Sequence, residues 1–448
     1  MKKIQKSLAI VNRDEKVISP SSRSPYYPFA AASGSGALLK DADGNDYIDF
    51  SAGAASLNTG TCHPRVVAAI KEQAEKLLCY TVGYMYEESS VELAEKLTSL
   101  TPGNFAKKVA YGLSGSDSID GAIKFARKYT ERSEIITFQT AYHGCTYGAL
   151  SASAICLNMR RGIGPMLPGF HHFPYPQCGR CPWKEEPLSC SLHCLEEIKK
   201  AFSLYLPPEE TAAVIFEPIG GDIGIAVPPA RYVKALAELC REHGILFVSD
   251  EVQQGMGRTG RWFAIEHFGV EPDIIAISKS LASGMPLSAL VMRAEIADSL
   301  KDPGHCFTLA ANAVCCRAAL ATIDVIEDEG LLDRSVNLGE KIKERLRSMK
   351  EKTARLGETR GLGLTIGQEI IKEDGAPDRD ACAKICYRCW ERGLILTFLS
   401  DNVLRIQPPL VISDEETEKG LKIIEESLVD YKNGAISDEA LLFAKGWS

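Results

Sequence analysis

The chain has 448 residues, room for two or three domains, and its 45% hydrophobic and 25% charged residues are the balance of a globular protein, not of a disordered, collagenous or coiled-coil chain. Lys and Arg total 51 against 59 Asp and Glu, a formal net charge of -8, which offers no electrostatic reason to bind nucleic acid or an anionic membrane and points to a small-molecule partner. The 15 cysteines, odd in number and scattered, read as free thiols of a reducing cytosol rather than a disulfide framework.

The first sixteen residues are basic, but the apolar segment Leu8 to Val11 is too short for a signal-peptide core. No apolar run approaches the ~20 residues of a membrane-spanning helix. A soluble, cytoplasmic protein is expected. Residues 16–37, rich in Ser, Pro, Tyr and Gly, read as an irregular arm. Asp43-Gly44 lies between the strand-like runs 36–40 and 46–50 and predicts a hairpin. From residue 64 to 300, helical stretches such as 65–78 and 91–100 alternate with short apolar strands at 109–111, 135–138, 213–216, 245–249, 274–277 and 288–292. That alternation predicts a largely parallel sheet covered by helices on both faces. Charged helices follow at 313–328 and 332–352, then a strand-helix-strand tail that reads as a second, smaller domain.

Ligands of parallel α/β sheets gather beyond the carboxyl ends of the strands, and four places there carry polar residues. Leu113-Ser114-Gly115-Ser116-Asp117 is a small-residue turn entering a helix; its N–H groups suit a phosphate, although a plain N-capped helix has the same look. Ser249-Asp250-Glu251 sets two carboxylates after an apolar strand, for a cationic heterocycle, a metal or merely a capped turn. Ser278-Lys279 ends another strand, and a desolvated lysine forms Schiff bases with carbonyls, where an isolated one would simply snorkel to the surface. Glu217-Pro218-Ile219-Gly220-Gly221-Asp222 ends a fourth strand with two acids. Phosphate turn, carboxylate, lysine and a further acid on one sheet edge make up the inventory of a pyridoxal-phosphate site.

Together with Tyr142-His143-Gly144, Val252-Gln253, Thr259-Gly260-Arg261, Thr308 and Arg405 with Pro408-Pro409-Leu410, these motifs resemble the class-III pyridoxal-phosphate aminotransferase family over nearly the whole chain. The resemblance implies the fold type I α/β architecture, with a large mostly parallel-sheet domain and a small α+β domain. Residues 1–62 would form an N-terminal arm and part of the small domain, 63–310 the large cofactor domain, and 311–448 the C-terminal small domain. It further implies that Lys279 holds pyridoxal 5'-phosphate as a Schiff base and that Asp250 pairs with the ring nitrogen. Gly115 and Ser116 would cradle the phosphate, Tyr142 stack on the ring, Val252 pack beneath it and Gln253 lie near its phenolic oxygen. Thr308 would reach the phosphate of a neighbouring subunit, in a homodimer or a dimer of such dimers, and Glu217 and Arg405 would form a switchable pair gripping the substrate.

Departures from the common family pattern narrow the expectation. Asp222 stands where the family usually has Glu, and with Cys145-Thr146, Met285-Pro286-Leu287, the stretch from Leu157 to Pro168 and the closing Gly446-Trp447 the chain resembles the family's amino-acid racemase branch, which includes isoleucine 2-epimerase and aminocaprolactam racemase. That branch implies inversion of the α-carbon of a free amino acid, with Lys279 and Asp222 as the two proton-transferring groups. The alternative is an aminotransferase using 4-aminobutyrate or another amino donor and a 2-oxo acid. Gly255-Met256-Gly257-Arg258-Thr259-Gly260 matches a dinucleotide fingerprint, but Lys279 occupies the place of the required acid at the end of the next strand. Tyr26, Tyr27, Phe29 and Ala55 are either pocket-lining or simply packed. Cys178, Cys181, Cys190 and Cys194 are expected to be free thiols, with a structural zinc or oxidised pairs as the alternatives. No catalytic metal is expected.

Overall fold

The computed structural model describes residues 3–187, 189–353, 355–400, 402–444 and 446. Trp447 of the closing pair lies outside the described residues. In chain order the strands are β1 (Ala31–Ser35), β2 (Leu38–Asp41), β3 (Asp46–Asp49), β4 (Lys107–Gly112), β5 (Glu134–Phe138), β6 (Phe170–Phe173), β7 (Thr211–Phe216) and β8 (Leu246–Asp250). They continue with β9 (Ile274–Ile277), β10 (Ser288–Arg293), β11 (Leu356–Leu362), β12 (Thr365–Ile370), β13 (Leu394–Ile395), β14 (Thr397–Leu399) and β15 (Val403–Ile406). Two compact units result, Pro64–Leu332 and Met1–His63 with Asp333–Ser448.

A seven-stranded sheet of order β4-β10-β9-β8-β7-β5-β6 organises the larger unit. Strands β6, β5, β7, β8 and β9 run parallel; β10 is antiparallel to both its neighbours. Every residue of β7, β8 and β9 is buried, which explains their continuous apolar runs: a strand covered on both faces has no polar side to alternate with. Helix Gly115–Thr130 turns Ile119, Ala122, Ile123 and Ala126 onto Ile135, Ile215, Val248 and Ile274 of the sheet. The strand expected at 245–249 is displaced by one residue to Leu246–Asp250, which draws Asp250 into the ladder opposite Ala276. Strand β6 was not expected, because His171-His172 interrupts its apolar pattern. Helix Ala313–Asp328 packs on helices Pro64–Lys76 and Glu88–Leu100, so the chain changes units near residue 332 rather than 311.

The smaller unit has two four-stranded sheets, β1-β2-β3-β13 and β11-β12-β15-β14. The expected hairpin is present: β2 pairs antiparallel with β3, and the Asp41 carboxylate accepts the N–H groups of Asp43 and Asn45 across the turn. Residues 16–37 are not wholly irregular, as the sequence reading had them. Strand β1 pairs with β2 along the sheet edge; its Ala-Ala-Ser-Gly-Ser run has no hydrophobic period to betray it. The aromatic residues of this segment are packed: Tyr27 stacks on Trp390 at 5.5 Å and donates its hydroxyl to the Leu396 carbonyl at 2.9 Å, and Phe29 meets Tyr47 edge-on at 5.0 Å. Tyr26 donates to the Phe398 carbonyl at 2.9 Å, and Ala55 is fully buried.

In this unit helix Leu331–Thr353 comes against the turn joining β11 and β12, and a Cβ on Gly339 would stand 2.1 Å from the Gly363 carbonyl oxygen. Backbone cannot retreat as a flexible side chain can, so Gly339→Ala is expected to lower stability by about 1–3 kcal/mol. The measurement is the urea midpoint, which should fall with an unchanged denaturant slope.

Candidate active site

The carboxyl ends of β7, β8 and β9 and the turn after β4 converge on a cavity of about 200 Å³ in the larger unit. Its walls include Gly115, Ser116, Tyr142, Glu217, Asp250, Val252, Gln253 and Lys279, eight of the residues singled out from the sequence, together with His143. Small residues make this convergence possible. A Cβ on Gly115 would lie 2.7 Å from Val252 Cγ1, one on Gly144 2.2 Å from Ser116 Oγ, and one on Gly221 2.3 Å from Gln253 Oε1.

The turn after β4 is held by a side chain. Asp117 Oδ2 accepts the Leu113 N–H at 2.8 Å, and its Oδ1 accepts the Ser114 N–H at 2.8 Å and the Ser288 hydroxyl at 3.1 Å. Asp117 therefore does more than complement the helix dipole: it ties the helix N-terminus, with its outward N–H groups, to β10. Ser116 Oγ accepts the Cys145 N–H at 3.0 Å, which links this turn to the Tyr142-His143-Gly144 segment.

Asp250 stands at the buried end of β8. Its Oδ1 accepts the Val252 N–H at 3.0 Å and its Oδ2 lies 2.7 Å from His143 Nδ1. Burial opposes charge on His143, but the hydrogen bond and charge of Asp250 outweigh it, and the imidazole pKa stands above the ordinary 6.5. His143 belongs to the Tyr142-His143-Gly144 motif, whose resemblance implies no role for it. The available signal was a histidine immediately before a glycine, one that has no room for a side chain.

Glu217 is tied down at both oxygens, accepting the Tyr142 N–H at 3.0 Å and the Gly221 N–H at 2.9 Å. Burial, the largest influence, pushes its carboxyl up to about 7; His143 opposes the rise, and the charges of Asp250 and Asp222 reinforce it. His143, Glu217 and Asp250 are the one group of three among the described residues whose possible metal-ligand atoms all lie within 4.8 Å of one another. Their oxygens already accept the N–H donors just named, an arrangement that suits holding a proton. Lys279 follows β9 at the cavity wall with φ +45°, a left-handed conformation rare outside glycine.

Other expected residues lie outside this cavity lining. Asp222 follows Gly221 and is half-buried, near enough for its charge to raise the pKa of both Tyr142 and Glu217. Thr308 is exposed, in the segment before helix Ala313–Asp328. Arg405 belongs to β15 of the smaller unit; it is 5% exposed and donates from Nε to Thr397 Oγ1 at 3.0 Å, so it is no surface charge. Cys178, Cys181, Cys190 and Cys194 are half-buried and form neither a disulfide nor a metal-ligand group among the described residues. Arg231 donates to Cys190 Sγ at 2.9 Å, and burial pushes the Cys194 thiol up to about 12.

Residues 19–428 match the family model described as aminotransferase class-III. The chain is 46% identical to the leucine/methionine racemase of Thermococcus litoralis, over 98% of this chain and 99% of that one. It is 43% identical to the isoleucine 2-epimerase of Lentilactobacillus buchneri, over 98% of each. Among solved structures, the ornithine aminotransferase of Toxoplasma gondii, described with partial occupancy of PLP at its active site, superposes with a TM-score of 0.83 at 31% identity, over 95% of both chains.

The raised carboxyl of Glu217 has a signed consequence. The folded protein keeps this proton to about 7, against an ordinary value of 4.5, so it binds more protons than the unfolded chain within that window. The contribution is full below the ordinary value and is lost as pH rises through the folded one. Glu251, fully buried and also pushed up to about 7, adds a second slope of the same sign. Stability measured by urea unfolding should fall from pH 5 to pH 8, and Glu217→Gln should flatten part of that fall. An unchanged slope would assign the proton elsewhere.

Proposed function

The chain belongs to the class-III aminotransferase family, and from that premise we propose that it is a pyridoxal-phosphate-dependent racemase or epimerase inverting the α-carbon of free amino acids. The observation that carries the reading is the likeness, at 46% and 43% identity and over nearly the full length, to a leucine/methionine racemase and an isoleucine 2-epimerase.

The residues of the cavity fit the cofactor. Lys279 offers an amine to its carbonyl, Asp250 a buried carboxylate to its ring nitrogen, and Gly115 and Ser116 the N-terminus of a helix to its phosphate. Tyr142 and Val252, with Gln253, also line the cavity and would supply surfaces for its ring. When bound, pyridoxal phosphate supplies an electron sink for the pair left on the α-carbon by loss of its proton. The protein's own residues then manage protons. The Asp250 carboxylate, oriented by His143, holds one at the ring nitrogen. Lys279 Nζ takes the α-proton from one face of the substrate. Inversion requires a proton delivered to the α-carbon from the opposite face, and the Asp222 carboxyl is assigned that delivery. For the other enantiomer the two groups exchange roles. Glu217 at the cavity wall is assigned to substrate binding, and Arg405 is assigned to it on the family resemblance alone.

An aminotransferase could work with Lys279 alone, and the family likeness to enzymes such as the Toxoplasma gondii protein keeps that second reading in view. The enzyme is further taken to be cytoplasmic and a homodimer in which Thr308 contacts the partner's phosphate site. Exposed Tyr80, Tyr84, Met85, Tyr86 and Leu309 support a covered surface in the larger unit. No helix among the described residues is long and apolar enough to cross a membrane.

The test is to incubate the holoenzyme with single L-amino acids in deuterated water without a 2-oxo acid. Formation of α-deuterated D-isomer with unchanged bound-cofactor absorbance is the expected result. Stoichiometric 2-oxo acid with conversion of the cofactor to its amine form would establish the aminotransferase instead. In a second measurement, Asp222→Asn is expected to lower D-isomer formation by about 10²–10⁴-fold, the usual worth of a positioned acid or base, while the resting spectrum stays the same. Undiminished racemisation would remove Asp222 from the mechanism.

A further inference from the structure

Three side chains anchor segment 142–145 beside the cavity. Glu217 accepts the Tyr142 N–H, Ser116 accepts the Cys145 N–H, and between them Ser153 Oγ accepts the His143 N–H at 2.8 Å. Glu217 and Ser116 line the cavity; Ser153 stands behind it, 1% exposed, directly after helix Tyr147–Ala152. Its hydroxyl donates to the Ala149 carbonyl at 2.8 Å, with the Gly144 carbonyl farther off at 3.4 Å, and its own carbonyl accepts from Arg160 at 3.1 Å. A hydroxyl has one proton to give; with that proton turned to Ala149, the oxygen presents a lone pair to the His143 N–H. The short helix is itself moored. Asp120 Oδ1, on helix Gly115–Thr130, accepts the Ala149 N–H at 2.8 Å, an approach that needs a glycine at 148, where a Cβ would lie 2.2 Å from that oxygen.

The His143 ring is wholly out of solvent and 2.7 Å from Asp250 through Nδ1; its Nε2 is buried without a hydrogen-bond partner among the described residues. The ring therefore takes its place from the Nδ1 contact and from the backbone that carries it. We propose that Ser153 is a positioning residue of this site: by pinning the His143 backbone to a short helix moored on the helix of the phosphate turn, it sets the length and angle of the His143–Asp250 hydrogen bond. The role deepens the reading given above and, for its effect on turnover, rests on it. A hydrogen bond weakens steeply as it bends, so a displaced His143 backbone is felt at Asp250 as a looser hold on the imidazole proton. Asp250 and Glu217 are the charged groups that act on His143; His172 of β6, brought down to about 4 chiefly by burial, is neutral at neutral pH and adds no competing charge.

The experiment uses holoenzyme labelled with ¹⁵N-histidine and follows the titration of His143 by NMR in wild type, Ser153→Ala and Ser153→Thr. Threonine keeps the hydroxyl; alanine has none. In Ser153→Ala the His143 midpoint is expected to fall by about one pH unit, roughly a tenfold loss of proton affinity. For α-deuterium exchange of the L-amino acid that the holoenzyme turns over, kcat should fall by about tenfold with KM within about twofold, as for an interaction that matters in the transition state only. Ser153→Thr should restore most of both. An unmoved His143 midpoint in folded Ser153→Ala, or equal impairment in both variants, overturns the proposal. If Ser153→Ala does not fold, Asp120→Ala removes the acceptor of the Ala149 N–H and should move the midpoint the same way; no movement is again fatal. A lowered midpoint in an enzyme that forms no D-isomer would sustain the positioning role and sink the racemase reading.

Discussion

A carboxylate at the end of a fully buried strand is costly unless hydrogen bonds and a cationic partner compensate it, and the 2.7 Å contact between His143 and Asp250 provides that compensation. Much of the site follows from this pair. Asp250 is kept at the wall of a cavity instead of in solvent, and the Val252 N–H takes its remaining oxygen, fixing the chain as it leaves β8. His143 in turn requires its backbone to be held, and Ser153 holds it from the end of a separate helix. A proton is thereby stationed at one buried place by groups drawn from the neighbouring His143 and Ser153 segments and from the end of β8, 107 positions from His143.

The same logic explains why the charged groups occur where they do. The central strands are buried on both faces, so a titratable residue within them would be stranded; only the strand ends open toward the cavity. Glu217, Asp250 and Lys279 all emerge there, after β7, within the last residue of β8, and after β9. Crowding three acids near one another has an electrostatic price, visible in Glu217, whose carboxyl is pushed up to about 7 chiefly by burial and further by Asp250 and Asp222. Glycines at 115, 144 and 221 let the loops close to within van der Waals reach, since a methyl at each would collide with Val252, Ser116 or Gln253.

The chemistry separates along the same line. A lysine on one face and an electron sink are common ground for transamination and racemisation; what distinguishes the second is a proton donor on the opposite face. Asp222 follows a glycine packed against Gln253, on the loop whose Glu217 anchors both Tyr142 and Gly221. The proton delivery proposed for Asp222 would start from this restrained loop.

The sequence by itself determined the layers and the inventory. Fully buried strands announce themselves as apolar runs, and the residues that end them stand out by contrast; hence Asp250, Lys279, Glu217 and the Ser114–Asp117 turn were legible, as was the Asp43-Gly44 hairpin. Elements whose cohesion is mainly backbone were not: β1 is a run of small residues on a sheet edge, and β6 hides behind two histidines. The cross-chain partners were equally invisible. His143 against Asp250, Asp117 against Ser288, and the Tyr142 N–H on Glu217 join residues 107, 171 and 75 positions apart, and no local pattern encodes such pairs. Local propensity is written in neighbouring side chains, but burial and hydrogen bonding between distant segments exist only once the sheet has assembled, and it is these that decide where the protons reside.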